Sequence, residues 1–245
     1  NQIPSLHEIE KTLESEKDIT CIATIHHETT TGILNPVQDI GAIAKKYGKI
    51  FVVDAISSYA AIPINVKELN IDFLLSSSNK CIQGMAGIGF VIANKRELDN
   101  IKNYPKRSYY LNLFENYSFL ERTGQMQFTA PPQVIYALSQ ATQEYFEEGG
   151  ENRWARYKDN WETLRKGVQE MGFELIVKPE HQSKILMSLR EPTHPDYDFD
   201  LLHDQLYEKG FTIYPGRLMD EKTLRLAVIG DLYKEDMHNF LSAFK

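Results

Sequence analysis

Two short apolar runs constrain this chain most. Lys49-Ile50-Phe51-Val52-Val53 shows no alternation of apolar and polar residues, the pattern of a parallel strand covered on both faces, and Asp54 stands where it ends. Residues 71–75 repeat the pattern and run into Ser76-Ser77-Ser78-Asn79-Lys80. Open α/β sheets bind their ligands in the crevice outside the carboxyl ends of their strands. One acid and one lysine are therefore expected to share a crevice.

That pair suits one kind of chemistry. A lysine amine condenses with an aldehyde, and an acid beneath a pyridine nitrogen keeps the ring protonated, so that the ring draws in the electrons released when a substrate Cα loses its proton. Serine hydroxyls beside the lysine suit a phosphate or the lysine's own loop. On spacing alone, a turn-capping Asp and a surface Lys fit as well.

The rest of the first half keeps a βαβ rhythm, which predicts a parallel sheet with right-handed crossovers. Ser5 with Glu8 and apolar Leu6, Ile9 and Leu13 predict a capped helix over 5–14; 19–25 reads as a buried strand; 39–47 reads as a helix closed by Gly48. Between them lies His26-His27-Glu28-Thr29-Thr30-Thr31-Gly32. Neighbours on a strand face opposite ways, so the two histidines do not chelate one ion, and no third ligand stands at metal spacing. The threonines read as hydroxyl donors near a ligand or as turn caps. Gly84, Gly87 and Gly89 lead into a strand, 89–93, rather than into a helix, which disfavours a dinucleotide loop. There is no G-x-x-x-x-G-K-[ST] loop.

Residues 94–130, with Tyr109, Tyr110, Phe114, Tyr117 and Phe119, read as a long ordered loop of functional or interfacial use. Phe128-Thr129-Ala130-Pro131-Pro132 leads into a helix over 133–146, so Thr129 stands ahead of a helix N-terminus, as an anion donor or as a cap. Gly149-Gly150 mark the expected boundary between a domain over 1–149 and a small α+β domain over 150–245. In the latter, Trp154, Tyr157, Trp161, Leu164, Val168 and Met171 form an apolar helical stripe that reads as core. Strands are expected at 173–177, 185–189, 211–214 and 223–228, and helices at 199–209 and 234–244. Arg225 interrupts an apolar strand, which calls for an anion or an internal salt bridge; Arg217, on a turn, reads as a solvated charge.

A net charge of −7 and a pI near 5.6 disfavour nucleic acid or an anionic membrane as main partner. No run approaches the ~18 apolar residues that span a bilayer. Two cysteines, Cys21 and Cys81, both in apolar contexts, imply no disulfide framework and a reducing, cytoplasmic setting. Asn1-Gln2-Ile3-Pro4 is not an initiator sequence, and the chain is expected to begin inside a longer parent.

The segments HHETTTGILNP, VVDAISSYAAIPI, SSSNKCIQGMAGIGFVI, QMQFTAPPQVIYAL, TIYPGRL and TLRLAVIG, in this order, resemble the fold-type I, class V aminotransferases. The resemblance implies pyridoxal 5′-phosphate as cofactor, an amino donor and a 2-oxo acid as substrates, no metal, and a homodimer with its sites at the interface. It implies the large-domain sheet of that fold followed by a small α+β domain. It makes Lys80 the lysine that carries the cofactor and moves the proton, and Asp54 the partner of the pyridine nitrogen. Ser78 would lie near the phosphate, Thr129 would reach the phosphate of the neighbouring subunit's cofactor, and Glu28 and Thr29 would form the polar turn beside the ring. Arg225 would hold the substrate's carboxylate or phosphonate. Members of the family carry a Gly-rich phosphate loop and a ring-stacking aromatic further upstream, and neither is found after Asn1.

Overall fold

The computed structural model describes residues 2–216 and 221–245. Arg217 falls outside them. Ser5 accepts the Glu8 N–H and so caps the first helix, α1 (Leu6–Ser15). Strand β1 (Cys21–Ile25) leads through a two-stranded hairpin, β2 (His27–Glu28) and β3 (Ile33–Leu34), into α2 (Val37–Lys46). Gly48 follows α2 in the left-handed region, φ +62°, and turns the chain into β4 (Ile50–Asp54). Next come β5 (Phe73–Ser77), β6 (Gly89–Ala93) and α3 (Lys95–Asn100).

The main sheet has the order β1-β4-β5-β6. Its first three strands are parallel, as the unalternated apolar runs require, and β6 returns antiparallel on β5. Phe51, Val53 and Leu74 are fully buried under Val37, Ile40 and Ala44 of α2. β1 departs from expectation: it is the edge strand, Cys21 and Ile25 are exposed, and only Cys81 of the two thiols is buried.

The region expected to be a long loop holds more structure than that. Besides α3 it contains α4 (Leu113–Thr123), capped by Asn112 at its start and closed by Gly124 in the left-handed region. Leu113, Phe114, Tyr117 and Leu120 recur at helical steps, but no side chain of the helix is buried. Two long helices follow, α5 (Pro132–Glu148) and α6 (Gly150–Glu170).

The second half forms a three-stranded antiparallel sheet with order β7-β9-β8, from β7 (Leu186–Arg190), β8 (Tyr214–Pro215) and β9 (Thr223–Ala227). Helices α7 (Phe199–Glu208) and α8 (Lys234–Phe244) complete it. The strand expected over 173–177 is reduced to a single bridge, Leu175 to Leu189. The apolar stripe of α6 is core, as read: Tyr157, Trp161, Leu164 and Val168 pack with Met187, Leu224 and Phe240, and Cys81 from the first half joins the same cluster.

Gly32 fixes how the hairpin meets this second sheet. It sits at φ +90°, and a Cβ there would come within 2.7 Å of the Leu186 carbonyl oxygen. Both the backbone conformation and the space exclude a side chain. Gly32→Ala is expected to cost about 2 kcal/mol or more in urea unfolding; a loss under about 0.5 kcal/mol would show that the turn adapts freely.

Candidate active site

Asp54 and Lys80 stand at the carboxyl ends of adjacent parallel strands. β4 ends at Asp54, opposite Leu75 of β5, and Lys80 follows the end of β5 in the loop to β6. That loop is held by its own backbone. Gly84 N–H donates to the Ser78 carbonyl at 2.8 Å, Gln83 N–H to the Lys80 carbonyl at 2.8 Å, and Ser78 N–H to the Ile88 carbonyl at 3.0 Å.

A cavity of about 390 Å³ opens beside Lys80. His27, Thr29, Ser57, Lys80, Tyr214 and Arg225 supply polar groups to its wall; the rest is largely apolar, with Leu226, Ile229 and Phe240 among its residues. Lys80 is half-buried, and among the described residues its Nζ has no hydrogen-bond or ion-pair partner. An amine on a cavity wall with nothing to neutralise it is free to engage a ligand.

Arg225 faces the cavity from the centre of the small sheet, between Ser188 of β7 and Tyr214 of β8. One guanidinium nitrogen, Nη1, donates to the Thr29 carbonyl at 3.1 Å. Its Nε is buried with no acceptor, and no carboxylate pairs with it among the described residues. A buried charged donor left unpaired costs on the order of 2 kcal/mol, so the position calls for an anionic ligand rather than the internal salt bridge.

The polar turn 28–31 is clamped between the two halves. A Glu28 carboxylate oxygen accepts both the backbone N–H and the hydroxyl of Thr30, at 3.0 and 2.9 Å. Ser188 Oγ donates to the Thr30 carbonyl at 3.0 Å, and Ser183 N–H to the Gly32 carbonyl at 2.9 Å. Thr29 is thereby delivered to the cavity, whereas the Glu28 carboxylate is used within the turn.

Of the residues expected from sequence, Lys80, Thr29 and Arg225 meet on one cavity. Asp54 is not on its wall. Its Oδ1 accepts the Ile56 N–H at 2.9 Å, and Oδ2 has no partner among the described residues. Ser78 is fully buried, and its hydroxyl is within hydrogen-bond distance of the Met85 carbonyl, inside the loop that carries Lys80. Thr129 is exposed and away from this wall, three residues ahead of α5.

His27, Ser57 and Tyr214 were not expected on the wall. The Ser57 carbonyl only accepts, so the 3.3 Å contact from His27 Nδ1 places the imidazole proton on Nδ1 and leaves Nε2 as an acceptor, buried and without a partner. His26 Nδ1 instead meets Ser58 Oγ at 2.8 Å. The two rings thus take different partners on the loop after Asp54. Burial pushes both imidazoles down to about 4.

Helix α6 binds the site together from behind. Arg153, buried in the stripe, donates to the Cys81 carbonyl at 3.1 Å, next to Lys80. Arg156 donates to the Gly230 and Leu232 carbonyls at 2.9 and 2.8 Å, just past β9. Glu148, at the end of α5, accepts from both guanidinium Nε groups, at 2.6 and 2.7 Å. An arginine on an otherwise apolar helical face was the sequence signal for this, since a buried guanidinium needs acceptors.

The fold is one that solved aminotransferases share. The chain superposes on pyridoxamine–pyruvate aminotransferase from Mesorhizobium loti with a TM-score of 0.90 at 24% identity, covering 100% of this chain and 63% of that one. The sequence settles the family. Residues 1–210 match the class V aminotransferase model, and the chain belongs to that family. It is 42% identical over 244 residues to a 2-aminoethylphosphonate–pyruvate transaminase of Syntrophobacter fumaroxidans, covering 99% of this chain and 66% of that protein. It is also 44% identical over 234 residues to a bifunctional phosphonoacetaldehyde hydrolase/aminoethylphosphonate transaminase of Clostridioides difficile, covering 95% of this chain and 37% of that one. The chain thus spans just under two thirds of the first relative's length. No described helix is long and apolar enough to cross a membrane.

Proposed function

We propose that the protein transfers the amino group of 2-aminoethylphosphonate to pyruvate, giving phosphonoacetaldehyde and L-alanine, with pyridoxal 5′-phosphate as cofactor. The observation that carries this reading is the pairing, on one cavity wall, of an amine, Lys80, with a buried guanidinium donor, Arg225 Nε, neither of which has a partner among the described residues. The names of the relatives point to the same substrates.

The residues present suit the cofactor. Its aldehyde would be held by Lys80 and its ring nitrogen by the free oxygen of Asp54, and when bound it supplies an electron-withdrawing ring. Lys80 Nζ would take the proton from the amine-bearing carbon of the substrate and hold it for return. Arg225 grips the phosphonate, or the carboxylate of pyruvate, through its forked donors. Thr29 would line the wall beside the cofactor, Glu28 would hold the turn that delivers Thr29, and Ser78 would fix the loop that presents Lys80. Tyr109, Tyr110, Leu111, Met126 and Phe128, all exposed around α4, support a homodimer in which Thr129 serves the phosphate of the other subunit's cofactor. Residues 150–245 act as the small domain that brings Arg225 to the site.

The test offers the purified protein pyruvate with each of several amines. Alanine should form with 2-aminoethylphosphonate as donor. Transfer from serine, or from alanine to glyoxylate, with none from the phosphonate would replace this substrate with another of the family. Arg225→Gln should raise KM for the phosphonate about 100-fold, the worth of a charged hydrogen-bonded pair, with Arg225→Lys recovering part of it; an unchanged KM would remove Arg225 from substrate binding.

A further inference from the structure

The loop that presents Lys80 and the turn that follows Arg225's strand are both fastened to a single hydroxyl. Tyr157 of α6 is fully buried. Its oxygen accepts the side-chain amide of Gln83 at 2.7 Å and the backbone N–H of Gly230 at 3.1 Å. Gln83 sits in the left-handed region at φ +68°, a conformation that normally favours glycine, and its own N–H closes the turn on the Lys80 carbonyl. The side chain that Gln83 carries at this position is used in the bond to Tyr157. On the other arm, Gly230 lies between Ile229 and Leu232, both on the cavity wall, five residues past Arg225. Burial pushes the Tyr157 phenol up, so it stays a neutral acceptor at physiological pH.

From these contacts we propose that Tyr157 is a positioning residue: its hydroxyl sets the distance between the amine of Lys80 and the guanidinium of Arg225, and so the length of substrate whose anionic end meets Arg225 while its amine-bearing carbon stands at Lys80. The consequence for substrate length rests on the amino-transfer reading of the cavity; the mechanical link does not.

Tyr157→Phe keeps the ring in the core and removes only the shared acceptor. In the cofactor-free protein, amide hydrogen exchange should rise about tenfold in both 78–84 and 228–232, as local opening becomes easier. In the cofactor-loaded protein, the pH midpoint of the absorbance of the lysine-bound cofactor should move by about half a unit or more, and KM for the amino donor should rise about tenfold with kcat changed by less than about threefold. Gln83→Ala should reproduce the change in 78–84 and in the midpoint. Val168→Ala, a core truncation on the same helix, should lower the melting temperature without either effect. If Tyr157→Phe alters exchange in only one segment, or does no more than Val168→Ala, the proposal is overturned. Coupled exchange in a protein that transfers no amine would support the link and remove the amino-transfer reading instead.

Discussion

Lys80→Ala is expected to reduce amino transfer by about 10⁴-fold or more, because in the proposed function one side chain would both hold the cofactor and move the proton. The same change should leave the fold nearly untouched. Lys80 is half-buried and its amine has no protein partner among the described residues, so the loss in stability should stay within about 1 kcal/mol. Lys80→Arg separates charge from chemistry. A guanidinium remains protonated at any working pH, so it restores the positive charge but neither condenses with an aldehyde nor accepts a proton, and the rate should remain near that of the alanine variant. Single-turnover mixing of each variant with the amino donor measures this directly. A Lys80→Ala protein that keeps more than about a hundredth of the rate would place the proton transfer elsewhere.

The second large effect is on stability in acid. His26 and His27 are buried, their imidazoles pushed down from 6.5 to about 4, chiefly by loss of hydration. The unfolded chain takes up protons on both rings as pH falls through 6.5, whereas the folded protein resists until about 4. Between these values the unfolded state binds more protons, so stability is full above pH 6.5 and is lost as pH falls. Each ring contributes on the order of 3 kcal/mol to that loss, a large share of the 5–15 kcal/mol by which a typical domain is stable. Glu148 acts in a different window. Burial pushes its carboxyl up, but the hydrogen bonds from Arg156 and Arg153 prevail and hold it below the usual value of 4.5, so its contribution is lost only below that pH. Urea unfolding at a series of pH values from 7 to 4.5 should show the midpoint falling steadily, with a shallower fall in His27→Gln. A flat profile over that range would mean that the rings are hydrated in the folded protein.

How much of this was legible in the sequence depended on whether a local pattern decided the outcome. The parallel strands β4 and β5 declared themselves through apolar runs without alternation, and Lys80 and Asp54 through their places just past those runs. Arg225 declared itself as a charge inside an apolar strand, where Nη1 finds the Thr29 carbonyl and Nε is left for a ligand to meet. The exposure of β1 and α4 was not legible, because burial depends on which neighbours arrive and the residues themselves suit either side. The strand expected at 173–177 failed for a related reason: an apolar run became one bridge to β7, since only Leu175 and Leu189 align. His27 was visible but was weighed only against a metal. Its place on the cavity wall came from a tertiary contact with Ser57, thirty residues on, which no local period encodes. The tie between Gln83, Tyr157 and Gly230 was hidden in the same way.

In the proposed function the amine of Lys80 takes up pyridoxal 5′-phosphate in this cavity. Loading the protein with the cofactor, reducing with borohydride and locating the modified peptide by mass spectrometry tests it most directly. One stoichiometric adduct is expected on Lys80, absent from Lys80→Ala. An adduct on another lysine, or one spread over several surface lysines and unchanged in Lys80→Ala, would contradict it.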